Sequence, residues 1–327
     1  MVWRIHFTAC DLERIQVRPT LGPLTEAVKA MSLLRCQRAP MIPYRPWLGQ
    51  VKGRITPQMA ALTALLPLGY PGVDLPMLIG EAATVELGIQ ALMTVPSQDV
   101  LAEIEFIDRM TRLPAAAWDI AEAGGPGRAQ LAEAARATHR ALIEPYWPRI
   151  SGCLHAEYLG WRQALASGGP GELFSSLQSQ WLRWNPPVLE VLADPQLDMH
   201  LDGRGITLVP SVFVGTVPHL HRHPTDPAAP PWLVLPPAAG RIARAGLWTS
   251  RRPRGAALAA LVGHNRAAVL GAISGGCTTT ELADRVGISL ASASQHASVL
   301  RNAGLIDTHR QGSAVRHVLT PLGAELL

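Results

Sequence analysis

The chain has little of what would mark an extracellular, membrane or metal-cluster protein. Its four Cys (Cys10, Cys36, Cys153, Cys277) lie far apart in 327 residues, with no paired spacing. That excludes a disulfide framework and a Cys-x-x-Cys zinc module, and reduced thiols are the expectation. No apolar run approaches the roughly 18 residues a membrane helix needs. The N-terminal MVWRIHFTACDLERIQV alternates like a strand and lacks the apolar centre of a signal peptide, so the expected location is the cytoplasm. There is no nucleophile-elbow Ser and no Gly-rich phosphate loop after a strand. Only 17% of residues are charged, two of them Lys, while 48% are hydrophobic, which argues for packed cores and against disorder.

What is present is unevenly spread. All nine Trp fall before residue 249. Residues 249–327 hold eight Arg against four acids, whereas 1–248 hold 21 charges of each sign, so the whole +4 excess lies in the C-terminal quarter. With the basic TSRRPRG at 249–255 as linker, these breaks divide the chain into a front domain, 1–248, and a C-terminal domain, 256–327. A basic excess confined to one small domain is the electrostatic footprint of a phosphate-binding partner.

The stretch from Cys277 to Leu319 carries the most specific pattern. Thr278 followed three residues later by Glu281 is a capping box. Leu282, Ala283 and Val286 follow at helical period, and Gly287 ends the helix. Ser289 caps a second helix expected over Leu290–Asn302. Ala293, Ala297 and Leu300 share its inward face, leaving Ala291, Ser292, Ser294, Gln295 and Ser298 outward. Such short or flexible side chains suit base edges: Gln295 can pair with adenine, Ser292 with several bases, and Ala291 can touch a thymine methyl. After Gly304, 305–307 and 315–319 are expected as two strands turning at Gln311-Gly312-Ser313, with His309, Arg310 and Arg316 on this ribbon for phosphates.

The residues GISLASASQHASVLRNAGLI resemble the recognition helix of ArsR-type winged-helix regulators. The resemblance implies a homodimer that binds double-stranded operator DNA and releases it on a signal. It assigns Ser289 through Gln295 and His296 to DNA and Arg310, Gly312 and Arg316 to the wing. The full candidate contact set adds Thr278, Thr279, Ser298 and Ser313. Metal-sensing members carry a Cys pair in the helix before it; here Cys277 stands without one, so no metal or other cofactor is expected.

The front domain is expected to be mostly helical, with a small antiparallel sheet, making the chain α+β. Helices are expected at 23–35, 57–66 and 97–110 (Ser-capped), and through 128–166 with breaks at Pro145 and Pro148. Gly/Pro-rich loops are expected at 68–80 and 120–127. From 188 onward VLEVL, LDMHLDGRGITLVP, SVFVG and PWLVLPP suggest strands, with Asp202-Gly203 as a hairpin corner. A single helix over 258–274 opens the C-terminal domain. RGITLVPSVFVG, later WLVLPPAAGRI and LW, resemble an uncharacterised domain found ahead of ArsR-like winged helices in actinobacterial regulators, which implies a sensory or dimerising role.

Within the front domain Trp147, Tyr158, Trp161, Trp181 and Trp184 are candidates to border a pocket for an apolar or aromatic effector. Three His in HLHRH, 219–223, project from one side of a strand and define an alternative: a metal-dependent enzyme with an accessory winged helix. The flanking Pro residues instead favour an exposed loop of solvated imidazoles. His139, Glu144, His155 and Glu157 are expected on helix surfaces. A winged helix that binds another protein is a further alternative.

Overall fold

The computed structural model describes residues 2–35, 42–68, 72–193, 196–215, 217–238, 246–248, 254–273, 276–311, 314–320, 322, 323 and 326. The protein is α+β, and its contacts divide it into two units, Met1–Trp248 and Thr249–Leu327.

The front unit opens with strand β1 (Val2–His6), helix α1 (Ala9–Glu13) and strand β2 (Gln16–Val17). Helix α2 (Pro23–Arg35) follows, then α3 (Arg45–Val51), α4 (Ala60–Ala64), α5 (Leu75–Ile79), α6 (Val85–Thr94), α7 (Ser97–Met110), α8 (Pro126–Leu142) and α9 (Trp147–Ser176). α2 matches its periodicity end to end and is buried along most of its length, including Thr25, Glu26 and Lys29. α7 also matches, but Ser97 is its first helical residue rather than its cap: Pro96 precedes it, and the Ser97 hydroxyl accepts from the Ala123 N–H at 3.1 Å. The loop expected at 68–80 contains α5, capped by Asp74, whose carboxylate accepts from the Met77 N–H at 3.1 Å.

Pro145 sits in a short 3-10 turn, Glu144–Tyr146, and Pro148 in the first turn of α9, where its missing N–H costs nothing. α9 runs further than expected and kinks at Gly169 (φ 66°), just before Pro170. The expected surface positions of His139 and Glu157 are corrected: both are buried, and Glu157 accepts from the Ala238 N–H at 2.9 Å.

The expected small antiparallel sheet is instead two mixed four-stranded sheets. Strands β3 (Leu182–Asn185), β4 (Val188–Leu192) and β5 (Leu197–His200) join β1 in the order β3-β4-β1-β5, with β1 antiparallel to β4 and parallel to β5. Strands β6 (Thr207–Pro210), β7 (His219–His221) and β8 (Trp232–Leu235) join β2 in the order β2-β6-β8-β7, with β6 parallel to both neighbours. Asp202 (φ 51°) and Gly203 (φ 85°) do make a left-handed corner, but it hands the chain from one sheet to the other rather than closing a hairpin. SVFVG is not a strand: Val212–Val214 form a 3-10 turn against α2.

Two large cores and a small cluster of Leu21, Val209, Val214 and Val234 fill this unit among the described residues. One gathers α2 through α9 around Trp47, Leu24, Met31 and Leu131. The other packs both sheets on the later part of α9 around Phe7, Trp161, Phe174 and Trp184.

In the C-terminal unit, residues 249–253 of the expected linker lie outside the described residues, and Arg254 already opens helix α10 (Arg254–Val262). The helix expected over 258–274 is divided at Gly263 (φ 90°), where α11 (His264–Ala272) begins. Strand β9 (Cys277–Thr278), helices α12 (Thr279–Val286) and α13 (Leu290–Asn302), and strands β10 (Ile306–Gln311) and β11 (Ala314–Leu319) complete it. Val269, Leu270, Leu282, Ala293, Ala297 and Leu300 form its core.

Candidate nucleic-acid interface

Local chemistry fixes each end of the two central helices. Thr278 Oγ1 accepts from the Glu281 N–H at 3.3 Å, and Glu281 Oε2 accepts from the Thr278 N–H at 2.9 Å, closing the reciprocal box. Gly287 takes the left-handed conformation (φ 71°, ψ 36°), and the Ile288 N–H returns to the Ala283 carbonyl at 3.1 Å. Ser289 then caps α13, its hydroxyl oxygen accepting from the Ser292 N–H at 3.2 Å. At the far end the Gly304 and Leu305 N–H groups bond the Arg301 and Leu300 carbonyls, both at 2.9 Å. That Schellman arrangement ends the helix with an apolar contact between Leu300 and Leu305.

The packing of α13 decides which face is free. Ala293 is fully buried and Ala297 and Leu300 nearly so, against α11 and α12. Two Ala at the contact let the backbones approach closely. Ala291, Ser294 and Gln295 are exposed, and Ser292, His296 and Ser298 half-exposed. The Ser289 and Ser292 hydroxyls bond each other at 2.9 Å, and Ser298 accepts from Arg301 at 3.3 Å.

The wing is longer than its sequence pattern. β10 and β11 pair antiparallel from Ile306↔Leu319 to Gln311↔Ala314. Gly312 and Ser313 lie outside the described residues, as does the side chain of Arg310; the Arg310 backbone is in β10, opposite Val315. Arg316 is exposed, with Nη2 3.5 Å from the Gly276 carbonyl.

Thr279 has a different local task from the other candidates. Its hydroxyl meets His317 Nε2 at 3.0 Å, while Thr308 Oγ1 meets Nδ1 at 3.0 Å. His317 is 5% exposed, and burial holds its pKa below the usual range, so a neutral ring ties the start of α12 to both wing strands. The sequence places His317 within the strand expected over 315–319, but nothing local in it points to the two hydroxyl partners. Arg285, counted among the basic excess, donates to the Ala272 carbonyl at 2.9 Å, a cation at the C-terminal end of α11.

The aromatic candidates of the front unit are not gathered together. Trp147 packs on the first core, Trp161 and Trp184 belong to the second, Trp181 is half-buried, and Tyr158 lies half-exposed under the Arg162 guanidinium. The aromatic group that does converge is Tyr44, Trp47, Tyr146, Phe213 and Trp248, with ring centroids 4.9–6.2 Å apart. Its members come from segments up to two hundred residues apart, so no sequence spacing announces it.

HLHRH is corrected too. It is no solvated loop: His219–His221 form β7, paired antiparallel with β8. His221 is buried, with Nε2 3.0 Å from Lys29 Nζ and Nδ1 bonded to Asp74. His223 Nδ1 accepts from the Asp226 N–H at 3.1 Å. His221 and His223 thus have different partners, the His219 ring lies 6.1 Å from that of His221, and among the described residues no three His, Cys, Asp or Glu side chains gather as metal ligands.

Two helices joined by a glycine turn, the second exposing a polar face, followed by a β-ribbon, define a winged helix-turn-helix unit. Residues 264–309, spanning α11 to most of β10, match the family model of a helix-turn-helix domain. No curated protein and no solved structure matches the chain. Among the described residues no helix is long and apolar enough to cross a membrane.

Proposed function

We propose that this protein is an ArsR-like one-component transcription regulator. It binds operator DNA as a homodimer and releases it when a small molecule occupies the front unit. The observation that carries this reading is the outward face of α13. Ala291, Ser294 and Gln295 stand exposed on a helix whose opposite face is fixed by Ala293, Ala297 and Leu300. A helix so anchored can enter a major groove, and its short polar side chains do not hold it away from base edges. Arg316 on the adjoining strand supplies a phosphate contact, and the basic excess of residues 249–327 supplies the field that brings duplex DNA to it. Two copies would meet successive major grooves about one helical turn apart.

The test is a gel shift against the DNA upstream of the protein's own gene, repeated across a salt series. Binding with a steep inverse salt dependence is the expected result. Arg316→Ala should weaken binding to all sequences alike and reduce the log–log salt slope by about one. Gln295→Ala should instead relax preference at one base position. A chain that binds no duplex under any salt condition sinks the reading and leaves the winged helix as a protein-binding module.

A further inference from the structure

The outward face of α13 carries one large apolar side chain that its polar contacts do not use. Leu290 is the first residue of the helix, directly after the Ser289 cap, and is 54% exposed. The core of the C-terminal unit takes Ala293, Ala297 and Leu300 from α13 and leaves Leu290 out. A leucine left in water forgoes the stabilisation that burial of its apolar area would bring.

Its place on the helix sets its direction. Helical Cα–Cβ bonds tilt toward the N-terminus, so the Leu290 side chain projects past the leading end of α13. Leu290 and Ser294 are four residues apart, as are Ala291 and Gln295, so the leucine extends the stripe on which those side chains are exposed. A recognition helix meets base edges with its N-terminal residues. Leu290 therefore stands at the leading tip of the face that would enter the groove.

The neighbouring side chains narrow what this tip can read. No Lys, Arg, Asp or Glu lies between Val286 and Leu300. The forked Arg or Lys contact that selects guanine, and the acidic contact that accepts from cytosine, are thus missing from the leading three turns of α13. Part of the hydroxyl capacity is also used internally. Ser289 and Ser292 bond each other at 2.9 Å, and Ser298 accepts from Arg301 at 3.3 Å. Leu290, with Ala291 beside it, offers nothing to a donor or acceptor on a base edge, but it can pack on a methyl group. The C5-methyl of thymine is the apolar group displayed in the major groove.

We propose that Leu290 is a specificity-determining residue that packs on the C5-methyl of a thymine in the operator. This assignment rests on the regulator reading and deepens it. The feature recognised is the methyl rather than the base pair. Uracil at that place loses the contact, and 5-methylcytosine is accepted there better than cytosine.

The test compares duplexes that differ by methyl groups alone. The DNA upstream of the protein's own gene is amplified with dTTP or with dUTP, and both products are titrated with the full chain in gel shifts at one salt concentration. Loss of one buried methyl costs about fourfold, and a homodimer makes the contact once in each half-site, so the wild type should bind the uracil duplex about tenfold more weakly. Leu290→Ala should weaken binding to the thymine duplex and bring the two products within about threefold of each other. Ala is a good helix former at this exposed position, and thermal melts check that the variant folds. Single thymine-to-uracil replacements then locate the contact. At that pair the wild type should bind 5-methylcytosine about fourfold more tightly than cytosine, and Leu290→Ala should bind them alike. A thymine-to-uracil ratio near one in the wild type, or the same in wild type and Leu290→Ala, overturns the assignment and leaves the regulator reading standing. An unchanged ratio together with loss of the dimer in size-exclusion chromatography would place Leu290 in a protein contact instead. A chain that shifts neither duplex sinks both readings.

Discussion

The two units place their polarity on opposite sides. The winged helix keeps its interior apolar and presents Ser294, Gln295 and Arg316 outward; its one buried ionisable ring, His317, is neutral and doubly hydrogen-bonded. The front unit sends charge inward, burying Glu26, Lys29, Glu103, Arg128 and Glu157 beneath an ordinary helical surface. A domain that grips a large, charged partner needs little inside beyond rigid packing. Buried charge lowers the stability of the unit that holds it unless every group is paired, so its presence marks where an interior has work besides folding. The comparison separates paired from unpaired buried charge, and substitution can do the same.

Arg128 should show the largest effect. It is fully buried, and its guanidinium donates to the carbonyls of Ile120 (3.2 Å), Ala121 (2.8 Å) and Val95, joining α8 to the end of α6 and to the 3-10 turn before it. Arg128→Ala would leave three carbonyls unsatisfied and open a cavity, and should cost about 3–5 kcal/mol in urea denaturation. A loss under about 1 kcal/mol would show that water replaces the guanidinium readily, and that pairing is not what separates Arg128 from Glu26.

Glu26 should respond with the opposite sign, and only at higher pH. Burial raises its pKa to about 7, from an ordinary carboxylate value near 4.5, although Lys29 pulls the other way. A raised folded pKa favours the folded state while the group is protonated in both states. That advantage fades as the unfolded chain ionises and is gone above the folded value. Relative to the wild type, Glu26→Gln should gain stability from about pH 4.5 to pH 7, approaching about 3 kcal/mol beyond it. His317 shifts in the other direction: burial lowers its pKa below 6.5, so its stabilising neutral form is penalised as pH falls under 6.5. The wild-type winged helix should thus weaken on acidification where His317→Gln does not. Denaturation curves at pH 5 and pH 8, followed separately for the two units, decide both. A Glu26→Gln advantage that was flat with pH would mean the carboxylate ionises alike in the folded and the unfolded chain, so that burial does not raise its pKa.

The same contrast explains what the sequence could reveal. The winged helix is assembled from neighbours: a Thr reaching a Glu three residues on, a Gly at each helix end, Ala at spacings of four. α12, α13 and the ribbon were legible for that reason, and the missed break at Gly263 is a single positive-φ glycine inside an apolar run. The front unit is assembled from distant parts. β1 lies between β4 and β5, and β6 between β2 and β8, so strands spaced like a meander belong to two mixed sheets. The Tyr44–Trp47–Phe213–Trp248 group and the Lys29–His221–Asp74 chain likewise close over gaps of more than a hundred residues. The Trp residues nearest one another in sequence along α9 and β3 were the visible candidates, and they are divided between two cores because a long helix serves both.

The smallest expected effect tests how far that local wiring matters. Thr278→Ala removes the hydroxyl that accepts from the Glu281 N–H and leaves an orphan donor at the start of α12. Such caps contribute about 1 kcal/mol. The loss should appear in the unfolding of the winged helix and leave the front unit unchanged. Glu281→Gln keeps an acceptor for the Thr278 N–H and should cost less, since the box survives with a neutral partner. Thr279→Val distinguishes capping from the neighbouring tie to His317: it breaks the hydroxyl–imidazole contact without touching the cap. If Thr278→Ala and Thr279→Val weakened the unit equally and their double variant lost no more than either alone, cap and wing would form one cooperative network, and the unit would be less local than its sequence implies.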